Sequence, residues 1–298
     1  MRAMKTLLPV LTVSALFAGA MGVARAQETP QLVTVPFSDP SRPGTLRINL
    51  MNGGATIRGT NRKDVLVEGR PSSERDRSER RFGPSPRPNP KVYVGRQRDG
   101  DSDTTGLRRL TQAGGYVIEE NNNQVLVASG GANSGTDFVI QVPTRTNLKL
   151  STLNDGPIIV EGVEGDIEVN NQNESITLTN VAGSVVANAH NGNVKVVLAR
   201  LTADKAMGFT SFNGNVDVTL PATAKANLKM HSDRGEIFTG FDVQLRPTTP
   251  TTQQNARGGD GRIRIEVNRS IQGAINGGGP EFELRTFNGN IYVRKGAQ

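Results

Sequence analysis

Residue types able to transfer a group or hold a metal are scarce in this chain. It has two histidines and no cysteine in 298 residues. Thiolate nucleophiles, thiolate metal sites and disulfides are thereby excluded. His190 stands in Asn-Ala-His-Asn-Gly-Asn and His231 in Leu-Lys-Met-His-Ser-Asp-Arg-Gly, each where a corner or a strand end calls for a polar residue. Two imidazoles alone do not complete a zinc site. No Gly-x-Ser-x-Gly elbow occurs to host a Ser-His-Asp hydrolase.

Paired carboxylates would be the remaining route to catalysis, as in glycoside hydrolysis. Asp166 and Glu168 lie two residues apart, but Ser184 and Val186 occupy the positions 18 residues later, where partners should stack. Calcium-binding nonapeptide rolls fit no better. Ser175, Ser184 and Asn193 stand where repeated aspartates are needed, and Gly-Gly-Asp-Gly occurs once, at 258–261. The expectation is a non-enzymatic protein without metal or cofactor.

Charge supplies one binding candidate. Residues 70–106 form an Arg/Pro/Ser-rich stretch whose composition cannot bury enough apolar area to offset chain entropy. It is expected to be a disordered insertion. Its cluster of Arg75, Arg77, Arg80, Arg81 and Arg87 could meet anionic envelope material such as lipopolysaccharide or acidic glycan, against the plainer reading of a solvated loop. The formal charge of the chain is +7, and it falls by three, to +4, without Arg2, Lys5 and Arg25. So small a surplus gives no footprint for nucleic acid.

Those three cations belong to an expected leader. Met-Arg-Ala-Met-Lys precedes an apolar run, and Ala-Arg-Ala at 24–26 has the form of a signal peptidase site. Cleavage after Ala26 would leave a periplasmic or extracellular chain with no transmembrane segment. Residues 27–44 then read as a lead-in.

The elements that would position any site come from a repeat. Ile158, Ile167, Ile176, Val185 and Val194 follow one another at nine-residue steps, and Val160, Val169, Leu178, Ala187 and Val196 repeat two places on. Between them Ile159, Glu168, Thr177, Val186 and Lys195 should point outward by the period of two in strands. Alternating turn sequences make the true repeat 18 residues, the mark of a β-solenoid. The expected architecture is all-β: a parallel β-solenoid, β-helix-like or β-roll-like, with coils of 18–22 residues and two short strands per coil. Residues 45–69 would be the first coil and 107–298 the main stack. The ladder should run on through Val216, Ile237, Ile263 and Ile291. Structural corners are expected at Gly156, Asn191, Gly192, Asn213, Gly214, Gly235, Asn288 and Gly289, on the argument that Asn and Gly accept positive φ. Phe212 and Phe287, in the twice-written Phe-Asn-Gly-Asn, should pack beside them. A Thr/Pro/Gln-rich stretch at 245–261 reads as an exposed loop.

With these residues laid out, the chain resembles the putative-adhesin family of exported bacterial proteins, a domain of unknown function with a β-solenoid fold. The matching stretches are LRINLMNGGATIRG, VPTRTNLKLSTLNDGPIIVEGVEGDI, the NGNV and NGNVDVTLP coils, LKMHSDRGEI and the closing INGGGPEFELRTFNGNIYVRK. The resemblance implies export and a role at the cell surface or envelope, and it supplies no catalytic residues. The leading expectation is an adhesin or cell-envelope interaction module, its partner an envelope glycan, lipopolysaccharide or a surface protein. Two alternatives stand beside it: a carbohydrate-active enzyme, lyase-like or hydrolase-like, on a β-helix scaffold, and a self-assembling envelope scaffold using unpaired strand edges.

Overall fold

Alternation of Val, Ile and Leu with polar residues makes strands, and the computed structural model contains no helix among its described residues. The structure describes residues 31–72, 115–129, 135–202, 204–246, 252–254, 265–267 and 270–296. The expected leader, the five clustered arginines and most of the Thr/Pro/Gln-rich loop lie outside them.

The strands run β1 (Gln31–Pro36), β2 (Gly44–Asn52), β3 (Ala55–Thr60), β4 (Asp64–Pro71), β5 (Tyr116–Asn121), β6 (Gln124–Ser129), β7 (Thr136–Pro143) and β8 (Thr146–Asn154). They continue as β9 (Ile158–Glu161), β10 (Glu164–Asn171), β11 (Ile176–Ala189), β12 (Val194–Leu198), β13 (Met207–Asn213), β14 (Val216–Leu220) and β15 (Ala226–Ser232). The last are β16 (Ile237–Thr239), β17 (Val243–Arg246), β18 (Thr252–Gln254), β19 (Ile265–Val267), β20 (Ile271–Ile275), β21 (Glu281–Asn288) and β22 (Ile291–Lys295).

Two ladders result. The first places β5, β6, β2, β8, β10, the second half of β11, β13, β21, β15, β20 and β17 side by side. The second places β1, β4, β7, β3, β9, the first half of β11, β12, β14, β22 and β16. Strand β11 crosses from one ladder to the other at a register break between Thr179 and Val181, where Asn180 takes φ 54° and Gly183 φ 113°. Joined in this way, the sheet is nearly barrel-shaped around a single apolar core. Strands β18 and β19 form a separate antiparallel pair.

Register follows the sequence reading in the middle of the chain. Ile158, Ile176 and Val194 stack in one ladder, and Ile167 and Val185 in the other. All are buried, together with Val160, Val169, Leu178, Ala187 and Val196, whereas Glu168, Val186 and Lys195 are exposed. Each inward Val or Ile contributes about 1.5–3 kcal/mol through burial.

A uniformly parallel stack is not what forms, and this corrects the expectation. Pairing is mixed: β4 runs antiparallel to β1 and β7, β5 to β6, and β20 to β15 and β17. Spatial order also departs from chain order. The β2–β3 unit lies between β6–β7 and β8–β9, and the β21–β22 unit lies between β13–β14 and β15–β16. Val216 is therefore followed by Ile291 and only then by Ile237, while Ile263 lies outside the described residues. The physical reason is that alternation specifies which face a strand buries and leaves open which strand pairs with it. Antiparallel pairs at the ends also cover ladder edges that a parallel stack would leave open.

Candidate functional site

The corners at one end of the paired strands are built by three aligned columns. The first is glycine. A Cβ placed on Gly192, Gly214, Gly289 or Gly235 would come under 3.0 Å from backbone of the neighbouring corner: Glu174, Gly192, Gly214 and Gly289 in turn. None of these four has positive φ; that conformation belongs to Gly53, Gly162, Gly183, Gly277 and Gly278. Close approach of stacked backbones, and not left-handed geometry, is thus why these corners take glycine. Gly156 is held likewise against Gly53 and Gly54.

The second column is asparagine. Asn173 donates through Nδ2 to Asn154 Oδ1 (3.1 Å), Asn191 to Asn173 (3.1 Å), Asn213 to Asn191 (2.8 Å) and Asn288 to Asn213 (2.7 Å). An amide can donate and accept at once, so identical rungs link into a chain. Beside it the hydroxyls of Ser211, Thr286 and Ser232 donate to the carbonyls of Gly192, Gly214 and Gly289. Thr152 occupies the matching place one end along, and its Oγ1 has no hydrogen-bond partner among the described residues.

The third column points outward and is aromatic. His190 stacks on Phe212 (5.0 Å between centroids, 6° between planes) and Phe212 on Phe287 (4.8 Å, 3°). The Arg234 guanidinium closes the far face of Phe287 at 5.1 Å. A second stack pairs Phe238 with Tyr292, on which Arg294 lies while also holding Asp217 at 2.8 Å. Sequence reading placed both phenylalanines beside the corners but missed His190 as their third member. The signal was present, because His190 precedes Asn-Gly-Asn as Phe212 and Phe287 do.

Next to the stack, on the outer face of the first ladder, Ser151, Asn170, Asn188 and Thr210 stand in register. Asn188 Nδ2 donates to Asn170 Oδ1 at 3.1 Å. Between this row and the corner lies a groove of about 390 Å³. Leu153, Gln172, His190 and Phe212 form its other wall, and none of its eleven lining residues is charged.

The other groups considered for chemistry do not converge. His231 is 3.2 Å from Asp233 and its Nδ1 has no partner among the described residues. Asp166 pairs with Lys205, and Glu164 takes both arms of Arg200 (2.6 and 2.8 Å), which hold its carboxyl below the usual range. Glu168 pairs in register with Val186. No group of three His, Asp or Glu able to hold a metal exists among the described residues. No helix long and apolar enough to cross a membrane is present among the described residues.

The class these features define is an all-β protein with a ladder-built outer face. No family model and no curated protein matches the chain. Among solved structures, it is similar to a putative cell adhesion protein from Clostridium sporogenes. That similarity covers 90% of this chain and 100% of the other, at 11% identity and a TM-score of 0.41.

Proposed function

We propose that this is an exported, non-enzymatic β-solenoid that acts as an adhesion or cell-envelope interaction module. Coils of 18–22 residues, each giving one strand to either ladder, are the finer architecture in this reading. One observation carries it: on the outer face of the first ladder Ser151, Asn170, Asn188 and Thr210 stand in register as one row of uncharged polar side chains, beside a stacked aromatic corner. Such a face suits repeated contact with a repeating partner. It is poor at proton transfer, since Ser, Asn and Thr do not titrate in the physiological range.

The test is retention of the mature chain on fractionated envelope from the cells that export it. Capture at micromolar protein by a glycan or protein fraction is the expected result. Failure to bind any fraction, with the chain folded, would reject the module.

A further inference from the structure

We infer that the uncharged groove beside the His190–Phe212–Phe287 stack is a binding site for a neutral polysaccharide chain. This deepens the interaction reading above and rests on it.

The first argument is charge. Asp, Glu, Lys and Arg make up 21% of the chain, yet none of them is among the groove's eleven lining residues. A phosphorylated or carboxylated ligand would find no lysine or arginine among those residues to offset its desolvation; the nearest in register is Arg285, one rung beyond Thr210 and outside the lining. A ligand bearing many hydroxyls finds what it needs. Asn170, Asn188 and Gln172 each offer both a donor and an acceptor, and Ser151 and Thr210 add hydroxyls. The bond between Asn188 and Asn170 fixes those amides in advance, which lowers the ordering cost of binding.

The second argument is the stack. Stacked rings cover one another's faces, so a column of three offers only its two ends. Arg234 closes the Phe287 end. At the other end His190 is exposed and lines the groove, with Gln172 on the neighbouring rung. A ring face beside amides is suited to the C–H face of a sugar and to its hydroxyls together. Exposed Leu153 extends the apolar wall one rung further. Rungs repeat at about 4.8 Å, so a polymer lying along the ladder meets like groups at successive residues. The groove volume lies within the range of small-ligand sites, about 300–1,000 Å³.

Affinity electrophoresis of the mature chain tests this, in gels cast with dextran, galactomannan or a mixed-linkage β-glucan, and with alginate or heparin as anionic counterparts. At least one neutral polymer should retard the chain. Ser151→Glu, which puts a charge in the groove between Asn49 and Asn170, and Gln172→Ala, which removes an exposed amide, should each weaken that retardation tenfold or more without moving Tm. Phe287→Ala, which opens the far end of the stack, should lower Tm and keep the retardation. Retardation by no neutral polymer, by the anionic ones alone, or unchanged in both groove variants would overturn the inference. If the chain is still retained on envelope fractions in those cases, the interaction reading stands without this site. Loss of both removes the two together.

Discussion

Gly214 offers the sharpest test of why the corners take the sequence they do. In Gly214→Ala the new methyl would lie under 3.0 Å from the Gly192 carbonyl carbon and oxygen. Neither can retreat freely, because that oxygen already accepts from Ser211 at 2.8 Å and the next amide rung joins Asn213 to Asn191 at 2.8 Å. Relief means parting two corners and giving up two hydrogen bonds, about 1 kcal/mol each. Overpacking adds about 1–3 kcal/mol. The sum is about 3–5 kcal/mol, or roughly 6–20 °C in Tm at 2–4 °C per kcal/mol for a chain of this size. Urea unfolding reads the difference. Gly208, on the strand β13 that leads into this corner, has no atom within 4 Å of where a Cβ would go, so Gly208→Ala should be neutral or stabilising by up to about 1 kcal/mol. Gly214→Asn decides between the two explanations of the corner. Asn tolerates left-handed φ but carries a Cβ, so close approach predicts that it fails as Ala does. A Gly214→Asn protein as stable as the parent would refute the reasoning.

Three further outcomes follow from the same contacts. Ile176→Asp, at a fully buried position, should abolish cooperative folding, while Thr177→Asp beside it should change the urea midpoint little, as circular dichroism would report. Asn213→Asp keeps an acceptor for Asn288 but turns a carboxylate oxygen on Asn191 Oδ1, so it should cost about 1–3 kcal/mol in the same assay, and Asn213→Gln should not restore the ladder. For pH, the Arg200 bonds depress the folded-state pKa of Glu164, so the stability it adds is present above its usual value of 4.5 and is lost as pH falls through the folded value. The gap in urea midpoint between the parent and Glu164→Gln should therefore be small at neutrality, as suits an exposed pair, and close below about pH 4.5.

How much of this was legible in the sequence depends on what each residue must satisfy. Ile176 and Leu178 face the core on every rung, so their apolar character repeats and the 18-residue step can be read directly. The placement of β22 between β14 and β16 could not be read, because Val216, Ile291 and Ile237 satisfy the core equally well in any order. The corner glycines were legible as corners but not in their cause. A glycine at positive φ and one pressed against a neighbouring carbonyl are the same letter, and only the stacked backbone tells Gly214 from Gly277. The groove was hidden for a different reason. Ser151, Asn170, Asn188 and Thr210 read as an ordinary solvated face until the fold sets them beside the end of the aromatic stack, where His190 lines the same groove.

Binding without turnover, as proposed above, can be read in one experiment. The protein is incubated with isolated envelope polysaccharide, and the bound fraction is measured alongside new reducing or unsaturated ends. Retention with the polymer left intact is the expected result. Release of new ends in proportion to protein, or no retention at all, would contradict it.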